Sequence, residues 1–362
     1  MSNKIAILGD THFGVRGDSL DFLRYYEKFY DNVFFPELIS RGIDTVIQLG
    51  DLFDRRKFVN FNSLYHSRKM FFDKLKKYEI RLFALLGNHD VSFKNTLEVN
   101  SPLLLLDGYD NIKIFRDFEK IGIASGIPID VIPWICEENE KEILDKIKNS
   151  RSQICVGHFE LDGFEMDRGN VFRGGHLSKK DLMKYDMVLS GHFHHKSDDG
   201  HVYYVGTPYE LTWSDWNDER GFHIFDPEKR ELEFIKNPYQ MFHKITYDDT
   251  VNDMTFWKNY DYESKKDTYI KIVTLNKKDP YLFDFVVDNF YKAGVCDIGI
   301  VEDFTEKDEE QAEDDTDVDQ AEDNLSIITK FIDQQNINVD PDKLKSIMRE
   351  IYIEALNMEK TE

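Results

Sequence analysis

Thr45-Val46-Ile47-Gln48-Leu49-Gly50-Asp51-Leu52-Phe53-Asp54 is the stretch on which the fold turns. Four apolar or β-favouring positions run into a glycine, and the glycine is followed at once by carboxylates. The same order recurs on both sides of it. Upstream, Ile5-Ala6-Ile7-Leu8 leads into Gly9-Asp10-Thr11-His12. Downstream, Arg81 to Leu86 leads into Gly87-Asn88-His89-Asp90. Two more copies follow: Gln153 to Val156 before Gly157-His158, and Met187 to Ser190 before Gly191-His192-Phe193-His194. Helical periodicity separates the first three runs, over Leu20 to Ile39 and Ser63 to Lys77. This β-α-β-α-β rhythm predicts a layered α/β domain.

Position gives the motifs their chemistry. In open α/β sheets, ligands bind outside the carboxyl ends of the strands. Five loops at one such edge gather Asp, Asn and His side chains, and the glycine before each group lets backbones approach closely. A lone histidine after a strand is ordinarily a structural residue, and a lone Gly-Asp is noise. Five in succession point to a shared site. Mixed carboxylate, amide and imidazole donors suit a pair of transition-metal-like divalent ions better than a thiolate zinc site or an all-oxygen calcium site.

Further strands are predicted at Ile121 to Ala124, Asp130 to Ile135, Val202 to Gly206 and Gly221 to Asp226, with few helices between them. That pattern suggests a second sheet in the same domain, which is placed at residues 1–228. Residues 229–301 are predicted to form a small α+β module, with strands at Tyr269 to Leu275 and Asp297 to Val301. Its helix is opened by Pro280, which suits a first turn. Residues 302–324 form an acidic linker: Glu302 to Asp323 holds 13 acidic residues against one lysine. Residues 325–362 carry two amphipathic stretches, with Ile328 and Phe331 on one and Leu344, Ile347, Ile351 and Tyr352 at helical spacing on the other. These helices either fold back on the body or bind a partner.

Composition constrains the function. The formal net charge is -23, so no overall basic footprint for nucleic acid exists, which argues against DNA binding. Over half of that charge lies in the acidic run, which leaves room for local basic patches. Arg55-Arg56-Lys57, directly behind the Asp51 loop, is the strongest of these. Cys136, Cys155 and Cys296 are widely spaced, as in a reduced cytoplasmic protein. No run approaches the length of a membrane span.

Taken together, the five motifs resemble the calcineurin-like metallophosphoesterase superfamily over residues 1 to 225. The resemblance implies a two-sheet sandwich flanked by helices. It implies that Asp10, His12 and His194 bind one divalent ion, that Asn88, His158 and His192 bind the other, and that Asp51 bridges both. It further implies that His89 acts catalytically beside them, with Asp90 fixing its orientation. Two such ions, about 3.5–4 Å apart, clamp a phosphodiester and share a bridging hydroxide as nucleophile.

Protein phosphatases of the superfamily read G-D-x-x-D-R-G and G-N-H-E, whereas this chain has Arg56 in place of the last glycine and Asp90 in place of the glutamate. The runs Gly50 to Asp54, Gly157 to Leu161, Gly191 to His194 and Tyr204 to Tyr209 are instead similar to SbcD-type DNA-repair nuclease subunits, above all to the recombination endonuclease subunits of large tailed phages. Some members carry histidine where Asp54 stands, and here Asp54 is read as a hydrogen-bond partner of a ligand histidine. The resemblance implies manganese dependence, exonuclease action on duplex ends and endonuclease action on hairpins or single strands. It also implies a capping module that positions DNA, and C-terminal helices that bind an SMC-like ATPase. The assembly it implies is a nuclease homodimer within a heterotetramer, in the host cytoplasm if phage-encoded. DNA contacts are assigned to Arg55, Arg56 and Lys57. The competing readings are a protein or nucleotide phosphatase and a non-catalytic scaffold. The scaffold is disfavoured because none of the seven ligands is missing.

Overall fold

The computed structural model describes residues 3–123, 126–167, 170–173, 177–302 and 344. Its centre is a sandwich of two six-stranded sheets. The first runs in the order Glu231–Lys236, Gly221–Asp226, Ile5–Leu8, Thr45–Gln48, Arg81–Leu85, Ile112–Phe115. From Ile5–Leu8 onward its strands are parallel, and the two strands on the other side join antiparallel. The second sheet runs in the order Ser197–Asp198, Val202–Tyr204, Met187–Gly191, Ile154–His158, Pro128–Ile132, Glu119–Gly122. Its four middle strands are parallel.

Alternation along the strands builds the layers. Ile5 and Ile7 point between the sheets with Ile47, Leu85 and Phe115, and meet Ile129, Val131, Ile154, Val156 and Leu189. Ala6, Leu8, Val46, Leu82 and Ala84 face outward into a second core. That outer core is aromatic, with Phe13, Tyr26, Phe29, Tyr30, Phe34, Phe71 and Tyr209 all fully or almost fully buried. Strands buried on both faces read as continuous apolar runs, which is why the sequence pattern was strong. Truncating Ile47 to alanine would cost about 2–5 kcal/mol.

The expected helix Leu20 to Ile39 is continuous from Leu20 to Ser40, with a π-turn at Tyr30–Phe34. In a regular α-helix the Pro36 ring would collide with the carbonyl of Asn32, and the wider turn falls at that place. The helix Phe61–Lys77 matches the second expected one. Strand Ile112–Phe115 and helix Glu140–Asn149 were not foreseen. No described helix is long and apolar enough to cross a membrane.

A third sheet holds Phe242–Asp248, Tyr269–Asn276 and Asp297–Glu302, all parallel. Helix Pro280–Ala293 covers it through Leu282, Phe283, Val286 and Phe290. Asp279 caps that helix by accepting from the Tyr281 and Leu282 amides, and Pro280 opens it. The boundary expected at residue 229 needs correction. Glu231–Lys236 pairs residue by residue with Gly221–Asp226, so the sandwich extends through Lys236 and the third sheet begins at Phe242. No strand was foreseen at 231–236, so nothing in the sequence pattern tied that segment to the sandwich.

The third sheet packs on the sandwich through mixed contacts. Phe242 enters the aromatic core, Lys271 lies over Trp213 at 4.5 Å, and Lys244 lies over Trp216 at 4.7 Å. The acidic linker beyond Glu302 and the partner residues Ile328, Phe331, Ile347, Ile351 and Tyr352 lie outside the described residues. Leu344 alone of that set is described, as helical and half-buried.

Candidate metal centre

All five glycine-led loops converge at one end of the sandwich. Asp10, His12 and His194 each offer a donor atom to one cluster, and Asp51, His158 and His192 to a second, with the donors of each cluster within 4.8 Å of one another. In the first, His12 Nε2 lies 3.1 Å from His194 Nε2, and His194 Nε2 lies 3.9 Å from Asp10 Oδ2. In the second, Asn88 Oδ1 lies 2.9 Å from both His158 Nε2 and His192 Nδ1. Asp51 Oδ2 stands between them, 3.7 Å from His12 Nε2 and 3.4 Å from His158 Nε2.

The backbone is bent to achieve this. His12, Asp51 and His192 all have positive φ (41°, 54° and 84°), a conformation that non-glycine residues seldom adopt and that clusters at functional sites. Gly50 sits at φ 103°, and a Cβ there would lie 2.3 Å from His158 Nδ1. At Gly87 a Cβ would lie 2.1 Å from Asp51 Oδ1. These two glycines are required because the ligands of one loop occupy the space where another loop's side chain would be.

Hydrogen bonds fix which ring nitrogen faces inward. His158 Nδ1 donates to the Leu49 carbonyl at 2.7 Å, which leaves Nε2 for the centre. His192 Nε2 donates to Glu160 Oε1 at 3.1 Å, which leaves Nδ1. His89 Nδ1 donates to the Asp54 carbonyl at 2.6 Å, and the ring packs edge-on against His12 with centroids 4.9 Å apart. Such outer partners set tautomer and ring orientation for metal binding.

What the donor atoms face decides whether a metal fits. Asn88 Oδ1 is surrounded by acceptors, and both neighbouring imidazoles have already committed their other nitrogen as donor. With Oδ1 turned inward a cation reconciles these lone pairs; with the amide turned over, its nitrogen donates to His158 Nε2 and His192 Nδ1 at 2.9 Å instead. Without a metal, a proton partly serves. Burial opposes charge on His158, but the carboxylates of Asp51 and Asp10 outweigh it and raise its pKa to about 9. Burial also works against ionised Asp51, yet the imidazoles of His158, His89 and His12 hold its pKa well below the usual carboxylate range. Asp10 is raised to about 6, mainly by burial. Metal and protons therefore compete for the same atoms. The donor set fits two divalent ions.

Asp54 Oδ1 lies 3.3 Å from His12 Nδ1, close enough for an ion pair though not aligned as a hydrogen bond. The expectation for Asp90 needs correction. Asp90 is fully buried and accepts from the backbone amides of Leu52 at 2.9 Å, Phe53 at 3.2 Å and Gly87 at 2.9 Å. It ties the Asp51 loop to the Asn88 loop through their backbones, while the oxygen that orients the His89 ring belongs to Asp54. Of the three expected DNA contacts, Arg55 is engaged with Asp18 at 3.0 Å and lies over the Phe58 ring at 4.9 Å. Arg56 is half-buried and Lys57 exposed.

Two contributors were missed. Glu160 was part of a quoted motif, but nothing in its local sequence showed that it reaches His192. Arg220 is buried and donates to the His194 carbonyl, to Thr207 Oγ1 at 2.7 Å, to Asp215 at 2.8 Å and to Asp218 at 2.7 Å. It anchors the His194 loop from a position with no motif around it.

Comparison with known proteins adds to this geometry. The family model described as calcineurin-like phosphoesterase matches residues 3–196. A protein of Enterobacteria phage T4 named exonuclease subunit 1 is 39% identical over 244 residues, covering 67% of this chain and 70% of that protein. The DNA double-strand break repair protein Mre11 of Sulfurisphaera tokodaii is 30% identical over 200 residues, covering 53% of this chain and 49% of that protein.

Proposed function

We propose, from the premise that this chain belongs to the calcineurin-like phosphoesterase family, that it is the DNA nuclease subunit of a recombination or repair complex. It is a metal-dependent phosphodiesterase. The observation that carries the reading is the single oxygen, Asp51 Oδ2, placed within 4 Å of a donor in each of two clusters.

In this reading Asp10, His12 and His194 hold one divalent ion, Asn88, His158 and His192 hold the other, and Asp51 serves both. Two such ions supply Lewis acidity and a water of lowered pKa for an in-line displacement. The chain supplies the rest. Asp54 holds the His89 ring so that Nε2 can give a proton to the departing 3′ oxygen or stabilise its charge. Asp90 keeps the two loops in register. Half-buried Trp134 packs against His158 with 5.9 Å between ring centroids and holds that ring in place.

The finer assignments rest on the resemblance and on the names of the relatives. Manganese is the proposed metal. Duplex ends are the exonuclease substrate, and hairpins or single strands the endonuclease substrate. The module after Lys236 positions DNA. Residues 325–362 bind an SMC-like ATPase, and two copies of this chain work within a heterotetramer. An acidic chain of this kind binds DNA weakly by itself, since affinity depends on local cation–phosphate contacts.

One comparison tests the reading. The full chain with Mn²⁺ is expected to degrade end-labelled duplex DNA and to hydrolyse p-nitrophenyl phosphate poorly, and Asp51→Asn is expected to abolish both. Efficient turnover of the monoester with DNA left intact would replace the nuclease with a phosphatase.

A further inference from the structure

We propose that Tyr204 is a positioning residue for the metal centre: its hydroxyl sets Glu160 in the place from which that carboxylate orients His192. The inference deepens the phosphodiesterase reading and rests on it.

Tyr204 closes the strand Val202–Tyr204, which runs beside Met187–Gly191 and pairs there with Ser190. Its side chain is almost fully buried, in a core shared with Phe159, Leu161, Phe164 and Phe193. A phenol in such a place needs partners for its hydroxyl. It finds them on either side of one residue. The hydroxyl donates to the Phe159 carbonyl at 3.0 Å and accepts from the Leu161 amide at 3.1 Å. The residue between them is Glu160, whose Oε1 accepts from His192 Nε2 at 3.1 Å.

The same side chain backs the other member of that pair. The Tyr204 ring stacks on Phe193, with centroids 4.5 Å and planes 23° apart, and the Phe193 ring lies 5.2 Å from that of His192. Hydroxyl and ring thus support the carboxylate and the imidazole at once.

The consequence for the metal follows from placement. Glu160 stands beyond the end of the strand Ile154–His158. There the phenol holds the carbonyl before Glu160 and the amide after it, which fixes the point from which the carboxylate reaches out. A carboxylate that accepts from Nε2 leaves Nδ1 as the lone pair for the ion. Removing the hydroxyl leaves a buried carbonyl and a buried amide without it, so the 159–161 backbone relaxes and the bond to His192 lengthens. Tyr204 therefore acts on the ion held with Asn88, His158 and His192, and it acts through Glu160.

A double-mutant cycle on the full chain tests that route, read as Mn²⁺ affinity from the signal of free Mn²⁺. Tyr204→Phe removes the hydroxyl and keeps the stack. It is expected to weaken that ion about 3–10-fold, less than the 10–100-fold of a direct partner. In the Glu160→Ala protein the same substitution should change the affinity by less than about twofold, because the route is already cut. Equal losses in the two backgrounds would mark a general effect on the fold and overturn the proposal, as would an affinity that Tyr204→Phe leaves unchanged. A second check needs neither metal nor variant. Nitrogen NMR of the metal-free protein should find the His192 proton on Nε2; a proton on Nδ1 would leave Glu160 nothing to accept and sink the idea. The outcome is separable from the nuclease reading. The expected cycle in a protein that leaves DNA intact would remove the DNA substrate alone, whereas DNA cleavage with equal losses in both backgrounds would remove this inference alone.

Discussion

Glu160 Oε1 meets His192 Nε2 at 3.1 Å, on the side of the imidazole away from Asn88. A carboxylate in that place makes the far nitrogen the donor and leaves the near one as a lone pair. Glu160→Ala should lower affinity for the ion held with Asn88 and His158 about 10–100-fold. Glu160→Gln should cost less, because its amide oxygen can accept from the same N–H. Manganese titrations of the three proteins check this, and equal affinities across them would remove Glu160 from the site.

His89 donates to the Asp54 carbonyl and packs edge-on against His12, yet neither metal cluster includes it. His89→Leu should therefore reduce DNA cleavage about 10²–10⁴-fold, the range of a lost general acid, with both metals retained. Single-turnover cleavage together with metal analysis reads the two quantities. Loss of metal from His89→Leu would mean that the ring supports the ligands rather than the reaction.

The contrast between these two residues shows what the sequence could reveal. His89 stood inside Gly87-Asn88-His89-Asp90, where ligand chemistry forces residue types into a short pattern behind a strand. Glu160 and Arg220 act across gaps of 32 and 26 residues, and no periodicity encodes such contacts. Asp90 was legible as part of the motif but not in its role, since a carboxylate serving backbone amides looks the same in sequence as one serving a ring. Glu231–Lys236 was not read as a strand and fell on the wrong side of the boundary placed at residue 229, because local sequence does not name the neighbour a strand will pair with. Strands buried on both sides, such as Thr45–Gln48, left the clearest trace.

Glu210 joins the sandwich to the start of the third sheet: its Oε2 accepts from Met241 N at 2.6 Å and from Phe242 N at 2.9 Å. Burial raises its pKa from 4.5 to about 7 and outweighs the two amide donors. A folded pKa above the unfolded value means that the contribution to stability is full below pH 4.5 and is lost as pH rises to about 7. Glu210→Gln keeps the accepting oxygen and removes the titration. Relative to wild type, the variant should gain on the order of 3 kcal/mol between pH 4.5 and pH 8. Urea unfolding at both pH values measures the difference, and parallel pH profiles would exclude Glu210 as its source.

Arg220 ties the His194 loop, the Thr207 turn and the Asp215 and Asp218 carboxylates together, and Asp215 in turn accepts from the Leu211 and Thr212 amides. Removing it takes the cation from two acidic groups, one of them buried almost completely, and leaves Asp215 to its backbone amides and Asp218 to His195. Arg220→Met should destabilise the protein by about 3–5 kcal/mol, as breaking a buried ion pair does. Arg220→Lys should cost about 1–3 kcal/mol, because one ammonium cannot reach all the acceptors that a fork reaches. The two metals should also respond unequally. His194 belongs to the cluster with Asp10 and His12, so that ion should loosen in Arg220→Lys while the ion held by Asn88, His158 and His192 stays nearer to wild type. A stepwise Mn²⁺ titration followed by the signal of free Mn²⁺ separates the two sites. If both loosen equally, Arg220 supports the fold as a whole, and its contact with the His194 carbonyl has no particular bearing on the metal.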